Sequence, residues 1–167
     1  QKTAYEIYQC DWSSDVCFSD LRGSQSSERE QSISAYLQAI KEAADGFECD
    51  LRLTKDGVMV CWHDRDLKRF YEDSRLIAKT NFKDLPSGIM KFEELLEMAI
   101  KNKKNLALET KHPVPSKGLV EEKLIEILNS NRAAITEANI EIAIMSFSIK
   151  AIKRICTSVI SIPIILV

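Results

Sequence analysis

The chain has little charge of one sign, no long apolar run, no internal repeat and no paired-cysteine framework. Each absence removes a class. A net charge of −2 over 167 residues gives no bulk attraction to nucleic acid or anionic lipid. The apolar runs are too short to cross a bilayer, which takes about 20 mostly apolar residues. Five cysteines are an odd number, and their spacing matches no metal site, so a full disulfide framework is not expected. Cys49 reads as a buried free thiol and Cys61 falls on a polar face, which together favour a cytoplasmic protein. What remains is 45% hydrophobic and 29% charged, the composition of an ordinary globular domain.

Residues 46–64 carry the most information. Side chains on a strand alternate faces, so Phe47, Cys49, Leu51 and Leu53 share one side and Glu48, Asp50 and Arg52 the other. Asp56-Gly57 is a hairpin signal, since a two-residue primed turn needs positive φ. With those two residues as the turn, Leu53 faces Val60, Leu51 faces Trp62 and Asp50 faces His63, about 5 Å apart at Cβ. Glu48, Asp50 and His63 then form one polar cluster. Two carboxylates beside an imidazole suit a hard divalent cation with a general acid next to it.

Beyond the hairpin the pattern alternates. Lys91 to Lys104 has helical spacing, with Phe92, Leu95, Leu96, Ala99 and Ile100 on one stripe. Asn105 to Lys111 is a short apolar strand ending in Glu109 and Lys111. A second helix runs from about Gly118 to Asn131, followed by a buried strand over Ile140–Phe147, a helix near Ser148–Cys156 and the apolar run Ile160–Val167. Strand and helix in alternation predict a parallel sheet covered by helices. In a β/α barrel the chemistry sits at the carboxyl ends of strands, where Glu48, Asp50, Glu109 and Lys111 all lie. Phe70 to Pro86 shows no period and reads as an irregular loop. His112 reads as structural, Trp62 as core opposite Leu51, and Glu121, Glu122 and Lys123 as a solvated helix face.

The ordered motifs resemble the glycerophosphodiester phosphodiesterase family. Its pattern opens with His-Arg-Gly and Pro-Glu-Asn-Thr. Glu-x-Asp, Thr-Lys-Asp-Gly, His-Asp and Glu-x-Lys follow. Arg22-Gly23, Glu48-Cys49-Asp50, Thr54-Lys55-Asp56-Gly57, His63-Asp64 and Glu109-Thr110-Lys111 match as they stand, while Arg29-Glu30-Gln31-Ser32 replaces Pro-Glu-Asn-Thr. The resemblance covers 22–167. It implies an α/β fold of the TIM-type (β/α)8 barrel and hydrolysis of a small-molecule glycerophosphodiester to an alcohol and glycerol 3-phosphate. It also implies Mg²⁺ or Ca²⁺ on Glu48, Asp50 and Glu109, phosphate contacts from Arg22 and Lys111, acid–base work by His63, and Arg22 as a catalytic residue beside it. Glu30 would lie close by as a ligand or hydroxyl contact. Two other readings stay open: a sphingomyelinase D-like lipid phosphodiesterase, and a non-catalytic phosphodiester-binding module.

One position departs from the family: Leu21 stands where the first histidine belongs, and leucine carries no proton. The preceding residues suggest why. Gln1 to Ile7 back-translates to CAG AAG ACG GCA TAC GAG AT, and Cys10 to Cys17 to TGT GAC TGG AGT TCA GAC GTG TGC. Both resemble an index-bearing sequencing adapter, in order and in one frame. A junction inside a His codon would leave CTC or CTT, which encodes leucine. Residues 1–21 are therefore expected to be translated adapter, and 22–167 a partial barrel domain. A whole barrel takes about 250 residues, so the expectation is a barrel truncated at both ends.

Overall fold

The computed structural model describes residues 29–115 and 118–157, and the backbone of 164–166. The first helix, α1 (Ile33–Lys41), starts at Ser32, whose hydroxyl accepts from the Ala35 N–H at 3.2 Å. It buries Tyr36 and Ala39, and the Tyr36 hydroxyl donates to the Glu48 carbonyl at 2.8 Å. That bond ties α1 to β1 (Gly46–Leu53) at the level of the first carboxylate.

β2 (Met59–Cys61) returns antiparallel to β1. A short ribbon follows: β3 (Asp66–Leu67), the single turn α2 (Lys68–Tyr71) and β4 (Asp73–Leu76). Then come α3 (Phe92–Asn102), β5 (Asn105–Thr110), α4 (Leu119–Ser130), α5 (Arg132–Ala138), β6 (Ile142–Met145), α6 (Ile149–Thr157) and β7 (Ile164–Leu166). The main sheet runs β2-β1-β5-β6-β7, with β1, β5, β6 and β7 parallel. Strand, helix and parallel strand repeat as the hydrophobic periods require. The arrangement is part of a TIM-type barrel wall.

The two faces of the sheet divide cleanly. Phe47, Cys49, Leu51, Leu106, Leu108, Ile142 and Ile144 pack with Leu95 and Leu96 of α3 and Leu124 and Leu128 of α4 in one core. The intervening residues, Glu48, Asp50, Ala107, Glu109 and Ala143, take the opposite face. That face is sealed by small side chains where it is not polar.

The hairpin differs from its sequence expectation by one residue. Leu51 pairs with Cys61, Arg52 with Val60 and Leu53 with Met59. The cause is the loop. The Val58 N–H donates to the Thr54 hydroxyl at 2.9 Å and the Thr54 N–H to the Val58 carbonyl at 2.9 Å, so Lys55, Asp56 and Gly57 form a three-residue turn. Only Gly57 has positive φ (79°) there, whereas the two-residue primed type I turn needs two such residues. A one-residue slip moves every side chain of the return strand to the other face. Cys61 therefore lies in the core beside Leu51, not on the polar side. Trp62 lies in a second cluster with Val60, Leu67, Ile77 and Ile89, not against Leu51. Asp50 does not face His63. The ladder ends at Cys61, and the Trp62 N–H donates to the Asp50 carbonyl at 2.8 Å.

Two further expectations change. Phe70–Pro86 is not irregular, because it holds β4 and two short 3₁₀ turns whose Ile77 plugs the second cluster. Glu121 is fully buried rather than solvated. Helices α1 and α5 were not foreseen.

Gly46 starts β1 where it meets β5 most closely. A Cβ there would come to 2.8 Å from the Asn105 carbonyl oxygen, a backbone atom that cannot swing away. Gly46→Ala is expected to destabilise the fold by about 1–3 kcal/mol, read as a lower midpoint in urea denaturation at unchanged slope.

Candidate active site

Glu48 and Asp50 share a face of β1 because they are two residues apart. Asp50 is in register with Glu109 of β5, whose side chain points the same way. The result is three carboxylates from two adjacent strands, with one oxygen from each all within 4.8 Å of one another. Glu48, Asp50 and Glu109 are 6%, 0% and 7% exposed. Carboxylates crowded together away from water repel unless a cation joins them. Hard oxygen donors at this spacing fit a divalent ion such as Mg²⁺ or Ca²⁺.

Lys111 lies just past the end of β5, and its ammonium sits 2.9 Å from Asp50 Oδ1 and 2.8 Å from Glu109 Oε1. It offsets part of the carboxylate charge. Gln31 is buried beside this group, and its amide donates to Asp50 Oδ2. The sequence reading passed over Gln31. Its one available signal was its place in the stretch that replaces Pro-Glu-Asn-Thr, where it stands at the amide position.

His63 is held by a second set of contacts. Its Nδ1 is 2.8 Å from Asp64 Oδ1, and its carbonyl accepts from Arg52 Nε and Nη2 at 3.0 and 2.7 Å. Arg69 Nε donates to Asp64 Oδ2 at 2.7 Å, and its Nη2 donates to Glu30. Glu30, Arg69, Asp64 and His63 thus form a continuous chain. Partial burial pushes the Asp64 carboxyl up, but hydrogen bonds from His63 and Arg69 outweigh it and hold the carboxyl below its usual range. An ionised Asp64 accepts a proton-bearing Nδ1, which fixes the tautomer and leaves Nε2 for proton transfer. Arg69 and Asp64 were not foreseen as site residues. Burial holds the Arg52 guanidinium below its ordinary value, against the opposing pull of Asp50, Asp64 and Glu109.

His112 is structural, as expected. Its Nε2 meets Glu121 Oε1 at 2.6 Å, and Glu121 Oε2 accepts from Arg154 Nη1 at 3.3 Å. This pins the loop after Lys111 to α4 and α6. Burial raises the Cys49 thiol well above its ordinary value, so it stays protonated and inert. Leu21, Arg22 and the rest of 1–28 lie outside the described residues.

The Asp64 network predicts an acid-sensitive increment of stability. A carboxyl depressed in the folded state stabilises above its unfolded value, about 3.9, and that contribution disappears as pH falls through the lower folded value. Asp64→Asn is expected to cost no more than about 1 kcal/mol at neutral pH, because the group is partly solvated. Thermal melts of the two proteins should converge below the carboxylate range. A gap that persists at the lowest pH would disprove this.

The family model for the glycerophosphoryl diester phosphodiesterase family matches residues 22–167. A probable glycerophosphodiester phosphodiesterase 1 of Mycobacterium tuberculosis is 34% identical over 157 residues, covering 80% of this chain and 57% of that protein. The chain thus spans a little over half the length of this curated relative. Among solved structures, a glycerophosphodiester phosphodiesterase from Thermotoga maritima superposes with TM-score 0.65 at 24% identity, over 82% of this chain and 56% of that one. A phosphodiesterase of Oleispira antarctica, solved with the product sn-glycerol-3-phosphate, gives TM-score 0.69 at 21% identity, over 79% and 57%. These two likenesses establish the fold.

Proposed function

The chain belongs to the glycerophosphoryl diester phosphodiesterase family, and on that premise we propose that its gene product hydrolyses glycerophosphodiesters to an alcohol and glycerol 3-phosphate. The observation that carries this reading is the buried cluster of Glu48, Asp50 and Glu109 on the adjacent strands β1 and β5. Those three carboxylates would hold Mg²⁺ or Ca²⁺. Bound there, the ion would polarise the phosphoryl group and offset charge that develops on it. Lys111, in contact with Asp50 and Glu109, would share the phosphate charge as a point donor. Arg22 would add a two-pronged donor. His63, held through Nδ1 by Asp64, would give or take a proton at Nε2. Glu30 is linked to His63 through Arg69 and Asp64, by which it would help to position the imidazole, and it stays a candidate ligand or hydroxyl contact.

Leu21 cannot serve as the second proton carrier, so the chain as it stands would turn over poorly. We attribute residues 1–21 to translated adapter and take 22–167 as the domain. Sequencing the source locus should return a His codon before Arg22. No described helix is long and apolar enough to cross a membrane. The buried thiols Cys49 and Cys61 suit a reducing compartment, which supports a cytoplasmic enzyme.

The test is divalent-dependent release of glycerol 3-phosphate from a panel of glycerophosphodiesters, using the source gene at the length of its relatives. No release from any of them would end the proposal. If the locus truly encodes leucine at 21, the reading becomes a phosphodiester-binding module. That module would bind cation and phosphate without turnover.

A further inference from the structure

Gln31 is a polar side chain buried beside the carboxylate cluster, and the reaction outlined above gives it no task. Its amide N–H donates to Oδ2 of Asp50. At the other end of the same amide, Oε1 lies 3.9 Å from the Cys49 thiol, which belongs to the core behind β1. The amide thus bridges a core thiol and a site carboxylate.

The Gln31 backbone is fixed as well. Its φ is 54°, a left-handed conformation uncommon for any residue but glycine. Such strain persists where the surroundings over-determine it, and it clusters at functional sites. The surroundings here are specific. Ser32, next in sequence, caps α1, and its hydroxyl donates to the Arg29 carbonyl at 2.6 Å. Arg29 in turn donates to the Tyr71 hydroxyl and the Gly88 carbonyl. Gln31 is therefore held from both sides along the chain.

The two oxygens of Asp50 meet different neighbours. The Lys111 ammonium lies 2.9 Å from Oδ1 and 2.8 Å from Glu109 Oε1, so Oδ1 is turned toward the partner carboxylate on β5. A cation joining Asp50 to Glu109 would approach by Oδ1. Oδ2 carries the Gln31 N–H, the positive end of an amide dipole. A cation drawn to that same oxygen would be repelled by the dipole.

We propose that Gln31 is a specificity-determining residue for the ion. By holding Oδ2 it limits Asp50 to one oxygen for the cation, and so tilts the site from Ca²⁺ toward Mg²⁺. Mg²⁺ demands near-ideal octahedral geometry and keeps several waters. Ca²⁺ takes about six to eight oxygens and accepts both oxygens of one carboxylate. This preference presupposes the cation reading of Glu48, Asp50 and Glu109, and it selects between the two ions that the reading leaves open.

Calorimetric titration of this chain with MgCl₂ and, separately, with CaCl₂ tests it. Gln31→Met keeps an unbranched side chain and removes the donor. Loss of a group that orients a ligand typically costs about 10–100-fold in metal affinity, and Mg²⁺ should weaken by that much. Ca²⁺ should lose about tenfold less, because Oδ2 becomes a second ligand atom for it. The ratio of the two dissociation constants should then move about tenfold toward Ca²⁺, whereas a merely structural role would weaken both ions alike. Gln31→Asn, whose amide is one methylene shorter, should move the ratio in the same direction and gives the reading if the Met variant does not fold. A ratio that stays put, or moves toward Mg²⁺, would overturn the role of Gln31 and leave the cation site standing. A wild-type chain that binds neither ion would remove the cation reading and the preference with it.

Discussion

Asp50→Asn is expected to abolish divalent-cation binding while leaving the protein at least as stable in chelator. Asp50 is the central member of the cluster. It is fully buried, stands in register with Glu109 and lies two residues from Glu48. Three carboxylates crowd and repel here, and among the described residues the Lys111 ammonium contacts two of them, Asp50 and Glu109. Replacing one carboxylate with an isosteric amide relieves that repulsion, and Gln31 and Lys111 can still find an oxygen at the same place. The cation, however, loses a charged ligand. Changes one layer further out typically cost 10–100-fold in metal affinity, so loss of a direct ligand should exceed about 100-fold. Thermal melts with and without Ca²⁺ or Mg²⁺ read both effects. Ion at 100 times its dissociation constant should stabilise the wild type by about 2.7 kcal/mol and the variant by almost nothing. Equal stabilisation of the two proteins would place the ion elsewhere. A variant that melts far lower in chelator would make Asp50 a structural group.

The carboxylate cluster was legible because it depends on two rules with no free parameter. Alternation puts Glu48 and Asp50 on one face, and parallel strands bring their carboxyl ends together at Glu109. The placement of His63 was not legible in the same way. It hung on the length of a turn, and the Thr54 hydroxyl, by capturing the Val58 N–H, made that turn one residue longer than Asp56-Gly57 suggests. The slip cost the assignments of Cys61 and Trp62 as well, because one register governs them all. Arg69 and Gln31 act through contacts that join distant segments, Gln31 to Asp50 and Arg69 to Glu30, and nothing in local spacing announces them. Glu121 misled for a different reason. Glu-Glu-Lys reads as a wet helix face, yet His112 and Arg154 close over its first glutamate from two other elements.

In a protein of its relatives' length that carries leucine at 21, Leu21→His should raise turnover about 10²–10⁴-fold, the usual yield of one positioned proton carrier. His63→Ala in that background should remove a similar factor. Breaking a diester requires one proton to leave the attacking water and another to reach the departing oxygen. One imidazole cannot stand on both sides of phosphorus. Asp64 leaves His63 with one usable nitrogen, Nε2, so this chain supplies half of that pair and leucine at 21 supplies none. The two substitutions should therefore be strongly non-additive. With Leu21 present, His63→Ala should cost less, because the missing partner already limits the rate. Binding should separate from catalysis. Both substitutions keep Glu48, Asp50 and Glu109, so calcium affinity should stay within about twofold throughout. A pH–rate profile adds a sharper check. The Leu21→His protein should show a bell with two limbs, and adding His63→Ala should erase one of them. If turnover is unchanged by Leu21→His while metal binding is intact, histidine at this position carries no proton, and the case for a binding module becomes the stronger one.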